Sequence, residues 1–139
     1  MLSATAQYAL RAMVYIAAHD REHPVLAKEI ASKTGVPLQY LSRILHDAVR
    51  AGLLTSSRGV GGGFRLARPK AKIKLIEILS RYDDVLDKAK CPFGQARCND
   101  SNPCGFHDHW KPISMAYREM LESTTLGEVG LEGLGGFKK

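Results

Sequence analysis

What this 139-residue sequence lacks narrows it first. No apolar run approaches the roughly 20 residues a helix needs to span a bilayer, so a membrane is not expected among its partners. The opening residues, Met1 to Gln7, carry no basic segment ahead of an apolar one, and a cytoplasmic location is expected. Cysteine is scarce, and three is an odd count, which argues against a disulfide framework. Those cysteines form no C-x-x-C pair and have no separate orienting group of the kind a catalytic thiol wants, so the chain is not expected to be an enzyme. The glycine-rich run Gly59 to Gly63 is not followed by Lys-Ser or Lys-Thr, which excludes a nucleotide-cradling loop. Acids are rare in residues 1–75: 4 stand against 12 Lys and Arg, a local charge of +8 within a chain whose total is +6. At least half of those bases are Arg, whose fork suits phosphates and base edges, so the basic half is expected to meet nucleic acid.

In chain order, Ser3 to His19 is expected to be a helix, with Leu10, Met13, Val14 and Ala17 at i, i+3, i+4 and i+7 against the core and Arg11 off that stripe. A short helix from Ala27 ends at Gly35, where a left-handed residue is wanted, and a second starts at Pro37. Helix, Gly-containing turn and helix make a helix-turn-helix. In the second helix, Pro37 to Ala51, the residues Leu38, Leu41, Ile44, Leu45 and Ala48 share one face. Gln39, Tyr40, Ser42, Arg43, His46 and Arg50 lie off it. A helix in that position enters the major groove with its N-terminal residues on base edges, so Gln39, Tyr40, Ser42 and Arg43 are the candidate readers. Two strands, Leu53–Ser57 and Phe64–Ala67, flank the turn Arg58 to Gly63 and form a hairpin wing. Arg58 at its base, beside Gly59, is the candidate for the minor groove. His19 and His46 have no clustering partners and are expected to be ordinary surface or core histidines. A helix from Ile73 to Tyr82 follows, with its inward face left open by the periodicity.

All three cysteines, and two of the five histidines, fall between Cys91 and Trp110. The spacing is C-x(6)-C-x(5)-C-x(2)-H over Cys91, Cys98, Cys104 and His107, and Gly and Pro between them allow bends that bring the ligands together. Cys104 and His107 stand three apart at an expected helix start and would share a face if that turn is helical. Three thiolates and one imidazole complete a four-ligand shell, for a structural zinc or for an iron–sulfur cluster; the spacing does not choose between them. The helix from about Trp110 to Ser123 sets Trp110, Ile113, Tyr117, Met120 and Leu121 along one side, a stripe that a symmetric dimer would cover. Thr125 to Glu128 has capping-box spacing for one more short helix.

Tyr8 to Arg11, Glu29 to Ala31, Val36 to Leu41, Ala51 to Ala67 and Ile73 to Ile78, with the cysteine stretch, resemble the Rrf-two family of bacterial winged-helix transcription regulators. The resemblance covers nearly the whole chain. It implies a mainly helical fold with a hairpin wing and a long C-terminal dimerisation helix, and a homodimer on a palindromic double-stranded operator. Residues 1–82 would be the winged-helix domain, 83–109 the linker and cysteine-rich loop, 110–129 the dimerisation and terminal helices, and 130–139 a flexible tail. The resemblance also implies a regulator, expected to be a repressor, under the control of an iron–sulfur cluster that senses iron, redox state or nitric oxide. A His three residues after the last cysteine, followed by Trp110, matches the branch that regulates cluster assembly and holds a 2Fe–2S cluster. The nitric-oxide-sensing branch, with a 4Fe–4S cluster, is the second choice, since Gln7 stands where it has an Asp ligand. The first gap is one residue longer than in the cluster-assembly branch, which leaves His109 as an alternative fourth ligand. The family often has Glu where this chain has Ser42, so no operator sequence carries over. The alternative from another class is a constitutive nucleic-acid-binding protein stapled by zinc.

Overall fold

A computed structural model describes residues 2–83 and 100–131. Cys91, Cys98, the expected linker from residue 84 and the expected tail from residue 132 lie outside the described residues.

Among the described residues seven regular elements run in the order α1 (Ala4–Ala18), α2 (Ala27–Thr34), α3 (Leu38–Arg50), β1 (Leu54–Ser57), β2 (Gly63–Leu66), α4 (Leu75–Leu79) and α5 (His107–Ser123). Single 3-10 turns lie at Lys70–Lys72 and Leu126–Glu128. The first helix starts where Ser3 accepts a hydrogen bond from the Ala6 N–H at 3.1 Å, satisfying one of the free donors of the first turn. Its core face is wider than the expected stripe. Ala6, Ala9, Ala12, Tyr15 and Ile16 are buried along with Met13, Val14 and Ala17, while Leu10 is only partly buried. The cause is position: α1 packs against α2, α3, α4 and β2, and its alanines let those neighbours approach.

Gly35 ends α2 at φ 73°, in the left-handed region that suits glycine, and directs the chain into α3. Pro37 caps α3 rather than lying inside it, with an extended ψ of 133°. Leu41, Ile44, Leu45 and Ala48 are buried as expected, but Leu38 is exposed, because the first turn of α3 projects beyond the core. The helix expected over Ile73 to Tyr82 is confined to Leu75–Leu79, and the open choice of face resolves to both: Leu75, Ile76, Ile78 and Leu79, with Ile73 just ahead of the helix, are all buried. A helix that short, enclosed by α1 and α5, has no wet side for its apolar residues.

The hairpin pairs Leu54 with Leu66, Thr55 with Arg65, Ser56 with Phe64 and Ser57 with Gly63. It has a third, non-local member. Val25, from the loop between α1 and α2, bridges Phe64 with backbone bonds of 2.9 and 2.8 Å. Asp20 in the same loop accepts from the Leu66 N–H at 3.1 Å through its carboxylate and from Arg65 at 2.9 Å through its carbonyl. The wing is thereby anchored at its base to the start of the helix-turn-helix.

A part-buried polar contact joins α2 to α1. The Tyr15 hydroxyl donates to Glu29 Oε2 at 2.7 Å. Burial, and then that carboxylate, push the phenol from its ordinary 10.0 up to about 12. A raised pKa means that the folded state holds the proton more tightly than the unfolded chain. Its contribution is therefore fully present below pH 10 and is lost as pH rises from 10 to about 12. Denaturation of the wild type in that window is expected to show stability falling with pH, and Tyr15→Phe to flatten that part of the slope. Equal slopes in the two proteins would contradict the pairing.

Candidate functional site

The residues expected to contact nucleic acid lie on the exposed polar face of α3 and at the hairpin turn. Gln39, Tyr40, Ser42 and Arg43 are all exposed, as are Arg58 and Gly59. Arg43 and Arg58 have no hydrogen-bond or ion-pair partner among the described residues. By contrast, Arg50 is engaged by Asp47 at 2.9 Å, Arg65 by the Asp20 carbonyl, and Arg68 by Glu77 at 2.7 Å. An arginine already paired to a carboxylate must give up that pair to meet a phosphate; Arg43 and Arg58 need not. Val60, at the hairpin tip, is fully exposed. His46 is exposed and bonds the Ser42 carbonyl through Nδ1, while the partly buried His19 packs its ring on Tyr15 with centroids 4.3 Å apart.

Sequence reasoning left out one part of this face. Tyr8 on α1 stacks on Tyr40 of α3 with centroids 6.2 Å apart, and the Arg11 guanidinium lies 5.7 Å from the Tyr8 ring centre. The stack joins the first helix to the N-terminal turn of α3. The i, i+3 spacing of Tyr8 and Arg11 was visible; Tyr40 as their neighbour was not, since it comes from another helix.

The second cluster is at the start of α5. The helix begins at His107, three residues earlier than expected, and the His107 N–H donates to the Cys104 carbonyl at 3.1 Å. Cys104 and His107 thus share one turn, but Cys104 precedes the helix rather than lying on its face. Cys104 is half-buried and His107 is buried, while His109 is exposed. His107 Nε2 meets Asp100 Oδ1 at 2.9 Å. Lys111, one helical turn further on, binds both oxygens of the same carboxylate at 2.7 and 2.8 Å. That ammonium, and then His107, hold the Asp100 carboxyl below the usual carboxylate range. Among the described residues no three His, Cys, Asp or Glu side chains converge as a metal site.

The donor chemistry at this turn nonetheless fits an anionic thiolate-bound group. A thiol and an imidazole stand together at the N-terminus of a 17-residue helix, where the helix dipole favours negative charge. The indole Nε1–H of Trp110, three residues after His107, is buried with no acceptor among the described residues. Such an orphan donor suits a nearby sulfur or thiolate acceptor.

A helix-turn-helix with a hairpin wing tied back to it, and a polar, basic face on its second helix, defines a winged-helix DNA-binding protein. Comparison with known proteins gives the family. The Rrf2 family model, described as an iron-dependent transcriptional regulator, matches residues 2–130, and the chain belongs to that family. It is 31% identical over 131 residues to the HTH-type transcriptional regulator IscR of Vibrio cholerae serotype O1, covering 94% of this chain and 75% of that one. It is 33% identical to the IscR of Vibrio atlanticus, covering 92% and 73%. Among solved structures, T. potens IscR superposes with a TM-score of 0.72 at 28% identity, over 92% of this chain and 84% of that one. The B. subtilis global cysteine regulator CymR shares the fold with a TM-score of 0.74 at 24% identity, over 100% and 98%. The protein is a DNA-binding transcription regulator rather than an enzyme, as expected. No helix among the described residues is long and apolar enough to cross a membrane.

Proposed function

We propose that the protein is a homodimeric repressor whose operator binding is controlled by an iron–sulfur cluster, 2Fe–2S, held by Cys91, Cys98, Cys104 and His107. The observation that carries this reading is the position of the Cys104–His107 turn. It heads α5, and the far end of α5 is joined to the DNA-binding half: Leu121 is buried in the common core, Leu75 N–H donates to the Thr124 carbonyl at 2.9 Å, and Leu126 N–H to the Ile73 carbonyl at 2.7 Å. A rearrangement at the ligand turn therefore has a continuous path, along α5 and through these bonds, to α4 and, through α4, to α1.

A bound cluster would supply a redox- and oxygen-labile charge at the head of that helix. The rest falls to the chain's own residues. Gln39, Tyr40, Ser42 and Arg43 meet base edges and phosphates in the major groove, and Arg58 with Gly59 at the wing meets the minor groove. Support for the dimer comes from α5 itself. Of its apolar side chains only Leu121 is buried, whereas Ile113, Met115 and Met120 are all exposed, so the expected stripe splits between core and open face. A second copy of α5 would cover that open face. Two copies of α3 related by that symmetry call for a palindromic operator.

The test is composition and colour. Purified without oxygen, the protein is expected to absorb visible light and to contain iron and acid-labile sulfide in near-equal amounts. Cys91→Ala, Cys98→Ala and Cys104→Ala should each abolish the colour, and cluster loss should change operator affinity by about 1–3 kcal/mol. A colourless protein with one zinc per chain would favour the stapled, constitutive DNA-binder and overturn the sensing reading.

A further inference from the structure

We propose that Asp100, held in place by Lys111, is a positioning residue for the cluster: it fixes the His107 ring so that Nδ1, not Nε2, is the nitrogen offered to iron. This inference rests on the cluster reading above and deepens it by naming the residue that orients its one imidazole ligand.

The argument is one of donors and acceptors. His107 Nε2 lies 2.9 Å from Asp100 Oδ1. An ionised carboxylate can only accept, so the nitrogen facing it must carry the hydrogen. The Lys111 ammonium donates to both oxygens of that carboxylate, at 2.7 and 2.8 Å, which sets both of them as acceptors. A neutral imidazole protonated on Nε2 has its lone pair on Nδ1, which makes Nδ1 the ligand atom. Metal-bound histidines characteristically give their other N–H to a carboxylate or carbonyl, which orients the ring and makes the ligating nitrogen more basic. The geometry is built by the fold. His107 and Lys111 are four apart on α5 and so face the same side, and Asp100 reaches both from the chain ahead of the helix. His107 has little room to turn, since its side chain is only 10% exposed, while Asp100 is 69% exposed and is held there by these two partners.

A different role for Asp100 is easy to state. A carboxylate near the first turn of a helix stabilises that helix whatever lies beside it. The two roles separate experimentally. In the full-length protein purified without oxygen, Asp100→Ala is expected to speed cluster loss to a chelator about 10- to 100-fold, the usual loss when an outer partner of a metal ligand is removed. It is also expected to alter the visible and paramagnetic resonance spectra of the cluster, and Asp100→Glu should restore both. In cluster-free protein labelled with 15N-histidine, the His107 ring should be the Nε2–H tautomer in the wild type and a mixture in Asp100→Ala. If Asp100→Ala lowers the melting temperature but leaves spectra, chelation rate and tautomer unchanged, the helix-charge role is the whole of it and the proposal fails. A colourless wild type overturns the cluster reading and this proposal together, whereas a coloured wild type with an insensitive Asp100→Ala overturns the proposal alone.

Discussion

Replacing Gly63 with alanine is expected to lower the free energy of unfolding by roughly 2–6 kcal/mol, a large share of what a domain of this size has. Two effects combine at that position. Gly63 has φ 143°, a backbone region side-chain-bearing residues rarely adopt, and strain there costs about 1–3 kcal/mol. A Cβ at Gly63 would also lie 2.8 Å from the Val25 oxygen and 2.9 Å from its carbonyl carbon, and relieving such an overlap costs about 1–3 kcal/mol more. The obstacle is backbone, so no side-chain rotation can relieve it. The natural escape is for β2 to move off Val25, which breaks the bridge between Val25 and Phe64 and releases the wing from the helix-turn-helix. Operator affinity should therefore fall further than stability alone explains. Gly61→Ala is the control: φ is 76°, but a Cβ there meets nothing within 4 Å, so only the strain remains. Chemical denaturation of the two variants side by side decides the matter, and equal losses would mean that the close approach to Val25 carries no weight.

The second large effect is expected in DNA binding. Arg43→Ala and Arg58→Ala should each weaken operator binding by about 1–3 kcal/mol if the side chain reads a base, and should flatten the salt dependence by about one phosphate if it does not. If α3 and the wing address different grooves, as proposed above, the losses should nearly add in the double variant, giving roughly 2–6 kcal/mol. Both side chains are exposed and have no protein partner among the described residues, so the fold should survive, as circular dichroism would report. A footprint on the preferred operator should show half-sites roughly 10 base pairs apart, centre to centre. Affinity for both single variants that matches the wild type across a salt series would remove α3 and the wing from the interface.

The local parts of this protein were legible in the order of its residues. The left-handed Gly35 between two helices, the glycine-rich turn between two short strands, and the buried side of α3 at Leu41, Ile44, Leu45 and Ala48 each depend on residues close together in the chain. Short-range geometry determines them, so spacing alone finds them. The excess of positive charge and the grouping of three cysteines with His107 likewise need no fold to be seen. Regular spacing misled, or left the buried face open, where surroundings differ from the average. Leu38 keeps the helical phase of a core residue yet projects past the core, and α4 buries apolar residues on every side because α1 and α5 enclose it. What only tertiary structure decided are contacts between distant residues. Val25 and Asp20 hold a wing some forty positions away, Tyr8 meets Tyr40 across two helices, and the far end of α5 bonds to the segment leading into α4. Asp100 becomes the partner of His107 only once the chain turns into α5 and sets His107 and Lys111 on the same side. No spacing rule specifies such pairs, because closing a long loop is entropically unfavourable and is offset only by the packing of the whole core.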